Sequence, residues 1–378
     1  MKVMHVITGL GAGGAEGFLV RLLRAANAGT QAVVVSLMDR GSYGGTIEAM
    51  GIPVHTLDMR RGFPNPLALW KLVRLIRSEG PEVIVSWMYH ANCLTGMASW
   101  FVPGRPLIWT IHHGNLDPAL NKWLTLKLVR WSARLSRRCA AIVYVSEKSR
   151  TLHEGVGYCA AHGAVLPIGI DGDVFRPDAR ARAMMRQEWG MSQNEFAFGL
   201  LARVDPLKNH SGFLRAAGLA ARANPALRFV LAGRGTDPFN SKLAALTAEN
   251  GLSGKVLFLG HRLDVPAIIN GLDAVVSSSL GESFPAVLGE ALCCGKPCLT
   301  TDVGACAAIV GPHGRIVPPG DDQALAEAMV WLASLPAAGQ MALCSGCREH
   351  ALAAFGMGRV AAQYSLIVDS CLARKGLS

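Results

Sequence analysis

Residues 274–300 read A-V-V-S-S-S-L-G-E-S-F-P-A-V-L-G-E-A-L-C-C-G-K-P-C-L-T, and this stretch indicates the fold class. The apolar run that ends near Ser279 predicts a buried strand, and Lys296–Thr300 predicts the next one. A helix is expected to begin near Pro285, because proline lacks the N–H that the first helical turn leaves unpaired. A strand, a helix and a strand in this order form the repeating unit of a parallel sheet.

The same alternation occupies the rest of the chain, in two series that meet at the hinge-like stretch 167–171. Strands of the first series are predicted at Lys2–Ile7, Ala32–Ser36, Val54–Leu57, Glu82–Ser86, Leu107–Ile111 and Ala141–Val145. Strands of the second series are predicted at Phe196–Leu201, Arg228–Ala232, Lys255–Leu259, Ala274–Ser277, Lys296–Thr300 and Gly314–Val317. Helices are predicted between them, among others at Glu16–Ala26, Pro66–Arg77, Leu120–Arg137 and Glu147–His153. The chain is therefore expected to be an α/β protein with two doubly wound domains.

Length and composition fit two folded domains. The chain has 378 residues, of which 51% are apolar and 17% charged, unlike a disordered chain. No apolar run reaches the roughly 18 residues of a membrane-spanning helix. The apolar N-terminus breaks at His5, so we interpret it as a first strand and not as a signal peptide.

Ten cysteines are scattered through the chain, mostly inside apolar segments. This usage fits a reducing cytoplasm. Cys344-Ser-Gly-Cys347 has the spacing of a metal or redox pair, but no second pair or cluster of histidines accompanies it. We expect two cysteines that pack on one helix.

Positive charge is concentrated in the first half of the chain. Residues 1–170 contain 18 Lys and Arg against 9 Asp and Glu, whereas residues 171–378 contain 19 against 18. This excess predicts an anionic partner. No nucleic acid is expected, because no recognition motif accompanies the charge. The stretch 121–138, rich in Lys, Arg and Trp, predicts a helix that either rests on an anionic membrane or exposes an ordinary basic face.

Three loops that follow predicted strands have the residue types of a phosphate or sugar site. Gly9-Leu-Gly-Ala-Gly-Gly14 suits either a phosphate at a helix N-terminus or a tight turn, and Asp39 is misplaced for an NAD enzyme. Arg203 and Lys208 are two permanent cations that would stabilise a departing diphosphate, or two solvated loop residues. Glu282 and Glu290 flank a predicted helix start, where free amides bind phosphate and carboxylates accept hydrogen bonds from sugar hydroxyls. Alternatively, one caps the helix and the other lies at the edge of the core.

In this order, the motifs resemble the family 4 retaining glycosyltransferases of group 1 type, which have the GT-B fold. The motifs are the glycine loop, Trp109-Thr-Ile-His-His113, Ile168-Gly-Ile-Asp-Gly-Asp-Val-Phe175, Arg203 with Lys208, Glu282-x7-Glu290 and Val317-Pro-Pro-Gly-Asp321. The resemblance implies two Rossmann-like domains that face an interdomain cleft. It assigns acceptor binding to residues 1–168, nucleotide-sugar binding to residues 169–355, and a helix that returns to the N-terminal domain to residues 356–378.

The resemblance also implies the site. It gives catalytic roles to His112, Arg203, Lys208 and Glu282, and donor binding to Gly11, Gly13, Gly14, Arg203, Lys208, Ser283, Phe284, Ala286, Val287, Leu288 and Glu290. Within this set, Arg203 and Lys208 would contact the diphosphate, together with backbone amides at the helix start. Glu290 would bind the ribose, and Glu282 the donor sugar. His112 would lie beside the reactive face of the sugar, with His113 as the competing assignment.

The implied activity is the transfer of a sugar from a nucleotide-sugar, by default a UDP-sugar, with retention at the anomeric carbon. The acceptor would be a saccharide or a polyprenyl-diphosphate-linked molecule, in polysaccharide or glycolipid synthesis. No metal or other cofactor is expected. The enzyme would be cytoplasmic and peripheral at the inner face of the cell membrane. Alternatives are a nucleotide-sugar epimerase of related fold, an NAD-dependent dehydrogenase, and a non-catalytic nucleotide-sugar-binding protein.

Overall fold

The structure is a computed structural model, and it describes residues 1–26, 29–59, 66–118 and 121–375. The chain divides into two compact units. The first consists of Met1–Gly169 with Met357–Ser378, and the second of Ile170–Gly356. Each unit contains one parallel sheet with helices on both faces, as an α/β protein requires. The predicted boundaries after residues 168 and 355 lie one residue before these divisions.

The first unit is built on seven parallel strands in the order β3-β2-β1-β4-β5-β6-β7. The strands are β1 Lys2–Ile7, β2 Gln31–Ser36, β3 Val54–Thr56, β4 Val83–Trp87, β5 Leu107–Ile111, β6 Ala141–Tyr144 and β7 Gly163–Val165. The central strands β4 and β5 are buried along their whole length. The strand order reverses between β1 and β4, and in doubly wound sheets ligands bind at the carboxyl ends of the strands near such a switch.

The helices of the first unit cover this sheet. They are α1 Gly14–Arg24, α2 Gly44–Glu48, α3 Pro66–Glu79, α4 Met88–Ala98, α5 Trp123–Leu135, α6 Glu147–Gly155 and, last in the chain, α16 Met357–Lys375. A 3-10 turn, Ser136–Arg138, continues α5. Helix α4 packs against both α3 and α5, and α16 packs against α1. The predicted start of α5 at Leu120 lies outside the described residues.

The second unit is built on six parallel strands in the order β10-β9-β8-β11-β12-β13. The strands are β8 Phe196–Leu201, β9 Leu227–Ala232, β10 Val256–Gly260, β11 Ala274–Ser277, β12 Cys298–Thr301 and β13 Gly314–Val317. The helices are α7 Ala179–Glu188, α8 His210–Ala223, α9 Ser241–Glu249, α10 Val265–Gly271, α11 Ala286–Cys293, α12 Cys306–Val310, α13 Asp322–Ser334, α14 Ala337–Cys344 and α15 Cys347–Phe355. The switch in strand order falls between β8 and β11, whose following loops contain the predicted cations and the first predicted glutamate.

The α/β prediction is confirmed, and all twelve predicted strands are present with ends within two residues of those expected. The sequence did not predict β7, a three-residue strand that is only half-buried. The expectation that Cys344 and Cys347 share a helix is wrong. Cys344 ends α14 and Cys347 begins α15, because Gly346 between them adopts a left-handed conformation with φ +79° that breaks the helix.

Two further properties concern the described residues only. No group of three or more His, Cys, Asp and Glu side chains among them is placed to hold a metal ion. No single helix in the described ranges is long and apolar enough to cross a membrane, and one pair bent by 110°, Asp322–Ser334 with Ala337–Phe355, passes by length and composition alone.

Candidate functional site

In the first unit, the glycine loop joins the end of β1 to the start of α1. Gly13 is the N-cap of α1 with extended backbone, and no side chain caps the helix. A Cβ atom on Gly11 or Gly14 would find no heavy atom within 4 Å, so packing inside the protein does not require glycine there. On Gly13 the same atom would meet a carboxylate oxygen at the end of the Glu16 side chain. The loop therefore leaves open space in front of a helix start, which is what a bound phosphate or sugar needs.

His112 follows β5, and aromatic rings surround it. Its ring stacks on Trp87 with a centroid distance of 5.3 Å and meets the edge of Phe18 at 6.1 Å. Nε2 lies 3.2 Å from Oγ1 of Thr110, while the buried Nδ1 has no hydrogen-bond partner among the described residues. Burial lowers the pKa of His112 to about 4, so the ring is neutral near pH 7.

His113 lies in a different environment. Its Nε2 is 2.8 Å from Oδ1 of Asn121, its ring meets Tyr89 edge-on at 5.8 Å, and its carbonyl accepts a hydrogen bond from the Ser149 hydroxyl. These contacts give His113 a role in holding the loop after β5. His113 is occupied by these contacts, whereas His112 is held mainly by aromatic rings, and this difference favours His112 as the histidine that faces a ligand. The assignment stays a prediction.

Two residues that the sequence analysis did not single out hold the ring on which His112 stacks. The indole Nε1–H of Trp87 donates to Nδ1 of His5 at 3.2 Å, and His5 in turn stacks on Tyr364 of α16 with ring centroids 6.4 Å apart. Burial lowers the pKa of His5 to about 3, so it accepts this hydrogen bond as a neutral ring. The sequence signal was a histidine inside an apolar strand.

In the second unit, the structure brings together Lys208 and Glu282, 74 residues apart in the chain. Nζ of Lys208 lies 2.5 Å from Oε1 of Glu282, which also accepts a hydrogen bond from the Ser279 hydroxyl at 2.7 Å. The side chain of Lys208 is 25% exposed and that of Glu282 is 10% exposed. The two opposite charges that the sequence placed in separate motifs form one partly desolvated pair.

Backbone contacts fix the two loops that contain this pair. Lys208 ends the 3-10 turn Pro206–Lys208, and the next residue, Asn209, has φ +51° and caps α8 through the Gly212 amide. The amide of Leu280 donates to the carbonyl of Leu207 at 2.7 Å, and the Ser278 hydroxyl donates to the carbonyls of Lys208 and Asn209. The ammonium and the carboxylate are thus held at the carboxyl edge of β8 and β11 without a ligand.

Arg203 is placed differently from Lys208. Its side chain is 65% exposed and pairs with the nearby Asp205, at 3.1 Å from Nη2 to Oδ2. Burial raises the pKa of Asp205, but the Leu207 amide and the Arg203 guanidinium outweigh it, so the pKa lies below its usual value. Arg203 is thus a long, exposed cationic side chain on the same loop as Lys208.

The start of α11 contains several of the residues that were predicted to bind the donor. The N-cap Pro285 offers no side-chain acceptor, and no described residue accepts a hydrogen bond from the Ala286 or Val287 amide. The Leu288 amide, predicted to be free, donates to the Pro285 carbonyl at 3.1 Å. The ring of Phe284 is buried and meets the ring of Phe355 edge-on, with a centroid distance of 5.4 Å, and its part in donor binding stays a prediction.

The two remaining predicted residues flank this helix start. The carbonyl of Ser283 accepts a hydrogen bond from the Ala305 amide at 3.0 Å, which fixes the loop before α11. Glu290 lies half-buried in the second turn of α11. The second unit thus has these groups in chain order: Glu282 of the ion pair in the loop after β11, the two free amides at the start of α11, and Glu290 in the second turn of α11.

Comparison with known proteins gives the family. Two family models match the chain: "Glycosyltransferase Family 4" over residues 12–174 and "Glycosyl transferases group 1" over residues 195–334. The chain belongs to the family 4, group 1 glycosyltransferases. Apart from Gly11, every predicted site residue of this glycosyltransferase falls inside one of the two matched regions.

Relatives with known names belong to the same class. The chain is 26% identical to the putative glycosyltransferase EpsF of Bacillus subtilis, over 80% of this chain and 79% of that protein. It is 25% identical to the UDP-Gal:alpha-D-GlcNAc-diphosphoundecaprenol alpha-1,3-galactosyltransferase of Escherichia coli, over 62% of each chain. The solved structure of Anabaena Alr3699/HepE in complex with UDP superposes with a TM-score of 0.85, at 24% identity, over 98% of this chain and all of that chain. This likeness shows that the glycosyltransferase has the GT-B fold.

Proposed function

We propose that this glycosyltransferase transfers a sugar from a UDP-sugar to a lipid-linked or saccharide acceptor, with retention of configuration, in surface polysaccharide or glycolipid synthesis. The Lys208–Glu282 pair is the observation that carries the proposal. It presents a fixed cation and a fixed hydrogen-bond acceptor on adjacent loops, as a donor with a diphosphate and a sugar requires.

The residues of the second unit supply the charges for the diphosphate. Lys208 is held in place by its neighbours, and Arg203 is long and exposed enough to reach an anion beside the same loop. The free amides of Ala286 and Val287 add partial positive charge at the start of α11. Negative charge that develops on the departing diphosphate is stabilised by groups already oriented towards it, which lowers the barrier.

The chemical step requires no protein nucleophile. The bond from the anomeric carbon to the acceptor oxygen forms on the face from which the UDP leaves, and the bond to the phosphate oxygen breaks. The leaving diphosphate takes the electron pair of that bond, and the acceptor hydroxyl proton passes to its phosphate oxygen. In the first unit we assign His112 to the transfer step, because burial keeps its ring neutral near pH 7.

The names of related proteins support the choice of donor and acceptor. The Escherichia coli relative is named for UDP-Gal and for a diphosphoundecaprenol-linked acceptor, and HepE has been solved with UDP and with UDP-glucose. We extend to this chain a UDP-sugar donor, a lipid-linked or saccharide acceptor, independence from metal ions, and a cytoplasmic location at the inner face of the membrane. Its basic first half agrees with an anionic partner there.

Calorimetric titration tests the donor assignment. UDP, GDP, ADP and NAD are titrated into the wild-type enzyme, the Lys208→Ala variant and the Lys242→Ala variant, whose exposed lysine lies on α9. Selective binding of UDP, weakened in Lys208→Ala and unchanged in Lys242→Ala, is the expected result. Binding of NAD alone, equal in all three proteins, would mean that the chain is a dinucleotide enzyme and that the proposal is wrong.

A further inference from the structure

An exposed aromatic patch lies on the surface of the first unit. It consists of Trp70 on α3 and Trp100 and Phe101 in the turn that follows α4, which are 56%, 54% and 37% exposed. The rings of Trp70 and Phe101 contact each other with a centroid distance of 5.2 Å. Large exposed aromatic groups in contact with each other indicate an interaction surface.

Arginines border this aromatic patch. The guanidinium of Arg138 lies over the ring of Trp100 at 5.6 Å, and its Nε donates to the Ser99 hydroxyl at 2.9 Å. Nη2 of Arg77 donates to the carbonyl of Phe101 at 3.0 Å. Aromatic rings bordered by arginines are typical of protein segments that lie at the level of lipid headgroups.

A cation pocket lies on the helix next to this patch. The pocket is open and lined by Lys127, Arg130, Trp131, Arg134 and Arg137, and its volume is about 530 Å³. No acidic side chain among the described residues forms an ion pair with any of these four cations. Arg137 precedes Arg138 in the turn Ser136–Arg138, which links the pocket to the aromatic patch.

The sequence around this face is nearly free of acidic residues. Between residues 83 and 146 there is one acidic residue, Asp117, against seven Lys and Arg. Helix α3 adds Lys71, Arg74 and Arg77 before its first acid, Glu79. Charge complementarity therefore selects an anionic partner, and the exposed indoles select one with an apolar layer beneath its charges.

We propose that this face binds an anionic lipid bilayer, with the aromatic patch at the boundary between headgroups and acyl chains and with lipid phosphates in the cation pocket. The proposal rests on the proposed function, because a lipid-linked acceptor places the enzyme at a membrane. It goes further by naming the surface. The sequence pointed to the helix at 121–138 alone, whereas Trp70, Trp100 and Phe101 come from α3 and a turn.

Vesicle sedimentation tests the proposal with the full-length protein. Binding is measured to vesicles of phosphatidylglycerol mixed with phosphatidylcholine and to vesicles of phosphatidylcholine alone. One variant carries Trp70→Ser and Trp100→Ser, and a second carries Arg134→Gln and Arg137→Gln. The matched controls lie on the second unit: Phe239→Ser, at a residue that is 91% exposed, and Arg222→Gln with Lys242→Gln, which removes the same charge.

We expect binding to the anionic vesicles only, with both controls equal to the wild type. The arginine variant should bind about 25-fold more weakly, at about fivefold for each cation. That loss should shrink in 0.5 M salt, in which surface charges are largely screened. The tryptophan variant should bind at least about tenfold more weakly at either salt concentration, because apolar burial is not screened.

Three results would overturn the proposal: no binding to anionic vesicles, equal weakening in the control variants, or release of the protein by millimolar inorganic diphosphate, which would show a site for a soluble anion. Binding of a mixed-sequence RNA in place of vesicles would overturn it as well. UDP titration of each variant is run in parallel. Vesicle binding without UDP binding would refute the proposed function but not the proposed membrane surface. UDP binding without vesicle binding would refute the membrane surface but not the proposed function.

Discussion

A double-mutant cycle on Lys208 and Glu282 gives the sharpest test of the site. We expect their ion pair to stabilise the folded protein and to compete with a diphosphate for the lysine. Lys208→Ala leaves the carboxylate of Glu282, which is 10% exposed, with only the Ser279 hydroxyl. Removing one partner of a fully buried pair costs about 3–5 kcal/mol. Since Lys208 is 25% exposed, we expect a smaller loss of about 1–3 kcal/mol in unfolding free energy. For a domain of this size that lowers Tm by about 2–10 °C.

The same two substitutions should change UDP affinity with a different pattern. Lys208→Ala removes a charged hydrogen bond to the diphosphate, which weakens binding by about 1.5–3 kcal/mol, or about 10- to 150-fold. Glu282→Gln frees the ammonium from its competing carboxylate, so UDP should bind about fivefold more tightly while sugar transfer falls. The double variant should bind UDP no better than Lys208→Ala, yet unfold at a higher temperature than it does.

Calorimetry with UDP and thermal unfolding of the four proteins complete the cycle. If Glu282→Gln weakens UDP binding as much as Lys208→Ala does, the carboxylate orients the lysine for the diphosphate and does not compete with it. If the two substitutions are additive in stability, the 2.5 Å contact carries no coupling energy in solution, and the reasoning from it fails.

Three further predictions concern the first unit. His112→Ala should leave UDP affinity within about twofold of the wild type and reduce sugar transfer at least about 100-fold. Trp87→Phe should keep a ring stacked on His112 and lower kcat about tenfold. Steady-state kinetics measures both effects, and full activity of His112→Ala would exclude a role of His112 in transfer. Gly14→Ala should unfold within about 1 kcal/mol of the wild type but bind UDP-sugar more weakly, because its Cβ would enter open space that we assign to the donor. Gly13→Ala should also change Tm little, because its Cβ meets only the end of the flexible Glu16 side chain, which can move aside. The pKa values of His112 and His5 in the folded protein lie below the ordinary 6.5. As pH falls, the unfolded chain therefore binds protons before the folded protein does, and the unfolding free energy should fall from about pH 6.5 towards pH 4. A Tm that stays constant over that pH range would contradict the burial of both rings.

The fold could be predicted because parallel strands buried on both faces leave a local signature. Runs such as Val83–Trp87 and Leu107–Ile111 are buried at every position, and a short, mostly apolar run marks them. Strand β7 has no such signature, since Gly163–Val165 is half-buried at each residue. The break between Cys344 and Cys347 depends on the left-handed conformation of Gly346, which cysteine spacing does not encode.

The sequence shows those features of the candidate site that depend on residues close together in the chain. It does not show features that depend on contacts between residues far apart in the chain. The spacing from Glu282 to Glu290 is local, and the sequence shows it. The hydrogen bond from Trp87 to His5 joins residues 82 apart, and the packing of Phe284 on Phe355 depends on α15. No local pattern reports those contacts, so the sequence showed neither the support of His112 nor the packing of the Phe284 ring.

Arg203 and Lys208 show how much the tertiary structure adds to a correct motif. The sequence gives them as two equivalent cations five positions apart in one loop. In the structure Arg203 is 65% exposed and pairs with a neighbour two residues away, so its charge is screened by water and salt. Lys208 is mostly buried against a carboxylate from the loop that follows β11, so its charge acts through a lower dielectric. If a diphosphate displaces Glu282 from Lys208, it exchanges one desolvated partner for another, so we expect the lysine to fix the ligand and the arginine to attract it.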